Sequence, residues 1–187
     1  MAALAVAATS ASARPRRGAG LPPRCLGTIQ RLKTLSDRDR RRVNMHSRST
    51  TIGAIAQLPA PNPTPTRRRT PFQRQAWEVI GQIVVYRSLP DGSIDVALFD
   101  DGGYVRVGMP LPDCPTKASR GRGAIVAARR DLVSQCGAPR PNSPALGGIA
   151  YVTGVGFWNG DRPKLQAAAN GAELQPVTSL RLIAGCR

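Results

Sequence analysis

The chain has 187 residues, with 27 Lys and Arg against 11 Asp and Glu, and a formal net charge of +16. That length bounds it to one folded domain with a further segment, and no apolar run reaches the length of a membrane span. One histidine, His46, and four cysteines spaced 89, 22 and 50 residues apart exclude the closely paired ligands of a zinc motif.

The charge is unevenly placed. Residues 1–76 hold 15 basic and 2 acidic side chains, and residues 77–187 hold 12 and 9. The basic character therefore belongs to the N-terminal part. Residues 1–13 are apolar and end in Ala11-Ser12-Ala13, the pattern of a signal-peptide core without its charged leader, with cleavage expected near Ala13. Residues 14–71 read as a largely irregular basic arm and linker. Arg14 to Arg24 has the Arg/Gly/Pro composition of a disordered stretch. Ser36, followed by Asp37 and Asp39, is a plausible N-cap for a short helix within residues 32–43. Ile52 and Ile55 lie at helical spacing, and Pro59, Pro61, Pro63, Pro65 and Pro71 favour an extended linker.

Residues 72–187 read as the folded domain. Residues 77–86 alternate as a strand, Pro90-Asp91-Gly92-Ser93 turns, and residues 94–99 alternate again. Asp100-Asp101-Gly102-Gly103 makes a second turn into residues 104–109, completing a three-stranded meander. Ile125, Ala128, Leu132 and Cys136 recur with helical period, and Gly137 with Pro139 ends that helix. Strand four covers residues 149–157, where Gly154 and Gly156 suit a strand approached closely by another backbone. Strand five covers residues 177–184. Five strands with one helix between the third and fourth are the order of a mainly β, OB-like barrel; a sandwich would show about seven strands.

The segments Gly27-Thr28-Ile29-Gln30-Arg31, Ser49-Thr50-Thr51, Phe72-Gln73-Arg74-Gln75-Ala76-Trp77, Gly154-Val155-Gly156-Phe157-Trp158 and Ala172-Glu173-Leu174-Gln175-Pro176-Val177 carry a resemblance. The chain from Cys25 to Cys186 resembles a family of small secreted bacterial proteins with no established activity. The resemblance implies export and a compact β-rich domain. Relatives in that family carry His-Gly-Gln after the aromatic pair and a His in place of Gln175. Neither is present here, so no histidine chemistry is carried over.

The candidate chemistry is sparse. Asp161 and Glu173 flank the long loop between strands four and five and could act as a hydrolytic pair. Asp100-Asp101 reads as turn chemistry, and Asp95 is expected to pair with Arg106 across the hairpin. Gly121-Arg122-Gly123 lacks the spacing of a phosphate loop, and no cofactor motif is present. For polyanions the candidates are Arg38, Arg40, Arg41, Arg42, Arg67, Arg68 and Arg69 in the arm. Tyr104 and Arg106, with Tyr86 and Phe99, are the few candidates on the barrel. The four cysteines allow three pairings; Cys114–Cys136 with Cys25–Cys186 would tie strand three to the helix and the arm to the C-terminus. The resulting expectation is an exported or cell-envelope binding module of unknown ligand. Nucleic acid, anionic lipid and acidic wall polymer are its candidate polyanions. A secreted hydrolase and a structural envelope protein are the alternatives.

Overall fold

A computed structural model describes residues 21–143, 145–160 and 165–186. The signal-like segment with its expected cleavage near Ala13, residues 14–20 and Asp161 lie outside the described residues.

The barrel is built on β2 (Gln75–Ser88), whose 14 residues serve two neighbours. Val79 and Ile83 point into the core while Ile80 and Gln82 face solvent, the two-residue period of a half-buried strand. Residues 76–82 pair antiparallel with β5 (Ile149–Trp158), and residues 82–88 with β3 (Ile94–Asp100). A register shift between Ile83 and Val85 marks where the strand changes direction. β3 returns as β4 (Gly103–Met109), which pairs parallel with β6 (Ala172–Leu182). β6 pairs antiparallel with β5, so the circuit β2-β3-β4-β6-β5-β2 closes. This five-stranded circuit is the OB topology, and the helix α3 (Arg122–Cys136) falls between its third and fourth strands. Ala128 and Leu132 of α3 enter the barrel core. Tyr86, expected as a stacking candidate, is itself core, and its hydroxyl donates to the Gly137 carbonyl at 2.6 Å.

Gly156 is the position where the strand pattern required glycine. A Cβ built there would lie far inside van der Waals contact of the Phe72 carbonyl oxygen. Close approach also brings the Phe72 ring onto Trp158, with centroids 4.9 Å apart. The last strand begins at Ala172, five residues before the expected start at Val177. Pro176 is accommodated because the β5–β6 register shifts between Gly154 and Gly156, and a bulge tolerates the missing N–H.

Residues 21–71 consist of short elements joined by irregular stretches, and they pack on the barrel instead of trailing from it. α1 (Thr28–Lys33) buries Leu32, and the chain then turns at Leu35, φ 51°. The helix therefore precedes the Ser36 cap position from which one was expected, and residues 40–42 form only a single 3-10 turn. β1 (Asn44–Ser49), which has no clear alternation in sequence, adds a parallel strand to the edge of β2. α2 (Ile52–Ala56) inserts Ile52 and Ile55 into the barrel core, with the Thr51 hydroxyl accepting from the Ala54 N–H at 3.0 Å. Asp100 accepts from the Ile52 and Gly102 N–H groups, a turn-and-cap role.

The disulfides are Cys25–Cys114 and Cys136–Cys186, with Cα separations of 5.0 and 5.2 Å. This corrects both expected pairs. α3 packs along β6, so its last turn meets the C-terminal Cys186 instead of Cys114. Cys114, in the loop after β4, is left for the segment that leads into α1. Among the described residues no helix is long and apolar enough to cross a membrane.

Candidate polyanion-binding surface

Two arginine runs, residues 40–42 and 67–69, meet in space at two carboxylates. Arg67 donates from Nε and Nη2 to the two Asp39 carboxylate oxygens at 3.0 and 3.2 Å. Arg42 lies 3.5 Å from the same carboxylate. Arg68 is 1% exposed and donates to Asp37 at 3.1 Å, to the Gln73 carbonyl at 3.1 Å and to the Leu32 carbonyl at 2.6 Å. Asp37 also accepts from the Asp39 N–H at 3.0 Å. Every oxygen of the two carboxylates thus has a donor. The hydrogen bond from Arg67 holds the Asp39 carboxyl below its ordinary value, against the opposing effect of burial. Burial pulls the Arg68 guanidinium down from its ordinary value, and Asp37 opposes it.

The arrangement sorts the expected arginines. Arg68 is a structural cross-link and is removed from the surface set. Arg67 is half-engaged, and Arg40 donates back to the Asp37 carbonyl at 3.0 Å. Arg38, Arg41 and Arg69 are exposed, and among the described residues their side chains form no hydrogen bond or ion pair. Arg31, on α1, is likewise exposed and uncommitted. Nothing in the sequence singles it out, because it belongs to neither run. Arg120 is equally hidden there. It lies before α3, 77 residues from Val43, yet its Nη1 is within 2.6–3.3 Å of the Arg40, Arg41 and Val43 carbonyls and braces the 40–42 turn. Only the fold brings it there.

The barrel-face candidates behave differently. Arg106 is 3% exposed, paired with Asp95 and donating to the Gln166 carbonyl at 3.0 Å and the Leu165 carbonyl at 2.6 Å. Asp95 also pairs with Arg87 at 3.0 Å. Burial pulls the Arg106 guanidinium down, with Asp95 opposing. It clamps the β5–β6 loop across the sheet and is no surface cation. The expected Asp95–Arg106 pair is present. Tyr104 packs against Phe99 with ring centroids 4.9 Å apart and planes tilted by 43°, both half-buried on the outer face of β3 and β4. Glu173 is buried and accepts from Asn159 at 2.7 Å and from Gln175. Asp161, its suggested catalytic partner, is outside the described residues. No group of three His, Cys, Asp or Glu among the described residues is arranged to hold a metal.

Fold and surface together define an OB-type barrel wrapped by an arginine-rich N-terminal cap. No protein-family model matches the chain, and no curated protein matches it. Among solved structures it is similar to an asparaginyl-tRNA synthetase from Entamoeba histolytica, at 14% identity and a TM-score of 0.44, covering 77% of this chain and 25% of that one. The same enzyme in complex with asparaginyl-adenylate is similar at 16% identity and 0.39, over 65% and 23%. A Leishmania major protein assigned as an aspartyl-tRNA synthetase is similar at 9% and 0.44, over 76% and 22%. The chain spans at most 25% of the length of these proteins.

Proposed function

We propose that this protein is an exported binding module that holds polyanions through the arginine cluster of its N-terminal cap. One observation carries the reading. Among the described residues the side chains of Arg31, Arg38, Arg41 and Arg69 are exposed and make no hydrogen bond or ion pair, while each oxygen of Asp37 and Asp39 already accepts from another donor. The surplus of donors is positive, which favours phosphate- or carboxylate-rich chains over neutral ligands. Two disulfides suit an oxidising compartment, and the resemblance to small secreted bacterial proteins supports export. Nucleic acid, anionic lipid and acidic wall polymer share the chemistry this surface recognises.

The test is a salt titration of the mature chain against a single-stranded oligonucleotide, anionic vesicles and polyphosphate. Binding to at least one, weakening steeply as salt rises, is the expected result. Salt-independent binding, or none at low salt, would remove the proposal. Export is tested separately by the N-terminus of the native protein, because an intact Met1 on cytoplasmic material would refute it.

A further inference from the structure

We propose that the cavity between α1, the Asp37–Asp39 turn and residues 66–67 is a site for a phosphate monoester. The inference deepens the polyanion reading and rests on its premise that these arginines face an anion. The cavity measures about 300 Å³ and is lined by Thr28, Arg31, Leu32, Arg38, Thr66, Arg67 and the two aspartates. That volume is at the small end of ligand pockets, which run from about 300 to 1,000 Å³.

Cationic donors outnumber the unengaged carboxylate oxygens of the lining. All four carboxylate oxygens of Asp37 and Asp39 already accept, from Arg67, Arg68 and the Asp39 N–H. The guanidiniums of Arg31 and Arg38 and the hydroxyls of Thr28 and Thr66 make no hydrogen bond among the described residues. Arg67 uses Nε and Nη2 on Asp39, which leaves Nη1 as a further donor. The uncommitted guanidiniums therefore favour a ligand group that accepts several hydrogen bonds and brings negative charge. A phosphate monoester does both, with a charge of about −1.5 to −2 at neutral pH and three terminal oxygens. An internal diester carries a single charge and so gains less from the same guanidiniums than a monoester does. The buried Arg68–Asp37 pair holds one wall, and Arg67 is held on Asp39. The phosphate could be that of a free compound or the terminal phosphate of a strand.

The probe is ribose 5-phosphate, titrated calorimetrically into the intact disulfide-bonded chain, with ribose and citrate as controls. Saturable binding of ribose 5-phosphate in preference to both controls is expected. The double variant Arg31→Gln/Arg38→Gln is expected to weaken it by about tenfold or more. Arg130→Gln, at an exposed position of α3 and ion-paired with Asp131, is expected to leave it unchanged. Absence of saturable binding, tighter binding of citrate, or equal binding by the double variant would each overturn the site. A second arm compares 5′-phosphorylated and 5′-hydroxyl oligonucleotides. A preference for the phosphorylated end that the double variant abolishes assigns the site to strand ends. Equal affinity, with ribose 5-phosphate still bound, assigns it to a free compound. Polyanion binding without ribose 5-phosphate binding sinks the cavity site and leaves the broader reading standing. The reverse result sinks the broader reading and leaves the site.

Discussion

The Arg68 guanidinium donates to the Asp37 carboxylate at 3.1 Å, with side-chain exposures of 1% and 11%. A pair so placed cannot lose one partner cheaply, because the survivor is left as an unpaired buried charge. Arg68→Ala is expected to cost about 3–5 kcal/mol. Arg68→Lys is expected to recover little, since one ammonium cannot reach Asp37, Gln73 and Leu32 with the geometry of a planar fork. Urea midpoints of the oxidised protein measure both. A loss below about 1 kcal/mol for the alanine variant would show that the cap does not depend on the pair.

Gly156 and Gly123 are expected to respond to alanine in opposite senses. A Cβ at Gly156 collides with the Phe72 backbone carbonyl, which has no rotamer to move away. Gly156→Ala is therefore expected to destabilise by about 3 kcal/mol or more, at or beyond the upper end of overpacking costs. Gly123 lies in α3, where an added Cβ would meet nothing within 4 Å, and alanine there is expected to stabilise by about 0.4–1 kcal/mol. Thermal midpoints moving the same way for both would contradict this account.

Acid should weaken the cap through Asp39. Its carboxyl is held below its ordinary value by Arg67, so the folded state binds this proton less readily than the unfolded chain does. The associated stability is complete above the unfolded value of about 4 and disappears as pH falls through the depressed folded value. Asp91 acts in the same direction: burial raises its carboxyl, but hydrogen bonds from Ser93 and Gln30 outweigh that and leave it lowered. Asp39→Asn is expected to be less stable than the parent at pH 6, with the gap closing below about pH 4. A gap that stays constant down to pH 2 would assign the loss to packing.

The barrel is legible in the sequence because its strands obey one rule each. Val79 and Ile83, Val96 and Leu98, or Val105 and Val107 recur with a two-residue period on the core face, although Ala97 and Arg106 between them are buried as well, and turns containing glycine separate the strands. The cap is not legible, for three physical reasons. β1 is exposed along nearly its whole length and has no buried face to reveal it. Arg68 looks like its neighbours Arg67 and Arg69, although only Arg68 finds a carboxylate and two carbonyls in the interior. Cysteine pairing depends on which strand end faces which loop, and spacing alone does not encode that. Of the surface arginines, the runs 40–42 and 67–69 are visible as charge, but their meeting at Asp39 and the contribution of Arg31 require the fold.

Disulfide mapping checks the cap's attachment. Cys25–Cys114 spans 89 residues and Cys136–Cys186 spans 50, so each is expected to contribute about 4–5 kcal/mol by restricting the unfolded chain. Non-reducing peptide maps should yield those two links, and a peptide joining Cys25 to Cys186 would refute the arrangement. Because the first link and the buried Ile52 and Ile55 tie residues 21–71 to the barrel, a chain truncated to begin at Phe72 is expected to lose stability as well as charge. Point substitutions are therefore the sound way to test the arginines.

Those substitutions separate charge-driven binding from base stacking. Each phosphate neutralised by an arginine releases counterions, so log affinity falls with log salt in proportion to the number of contacts, at about 0.7 per contact for a single strand. Arg41→Gln and Arg69→Gln each remove an exposed, uncommitted guanidinium without disturbing any side-chain bond among the described residues. Each is expected to weaken binding to an oligonucleotide and to polyphosphate alike, and to lower the salt slope by up to about one contact. Phe99→Ala and Tyr104→Ala remove the half-buried pair on the outer face of β3 and β4. If that pair stacked bases, each truncation would cost about 1–3 kcal/mol on the oligonucleotide and nothing on polyphosphate. The expected result is the reverse ranking, with the arginine variants affecting both ligands and the aromatic variants neither. Affinity that survives loss of Arg41 and Arg69 but collapses for Tyr104→Ala on the oligonucleotide alone would move the binding site from the cap to the barrel face.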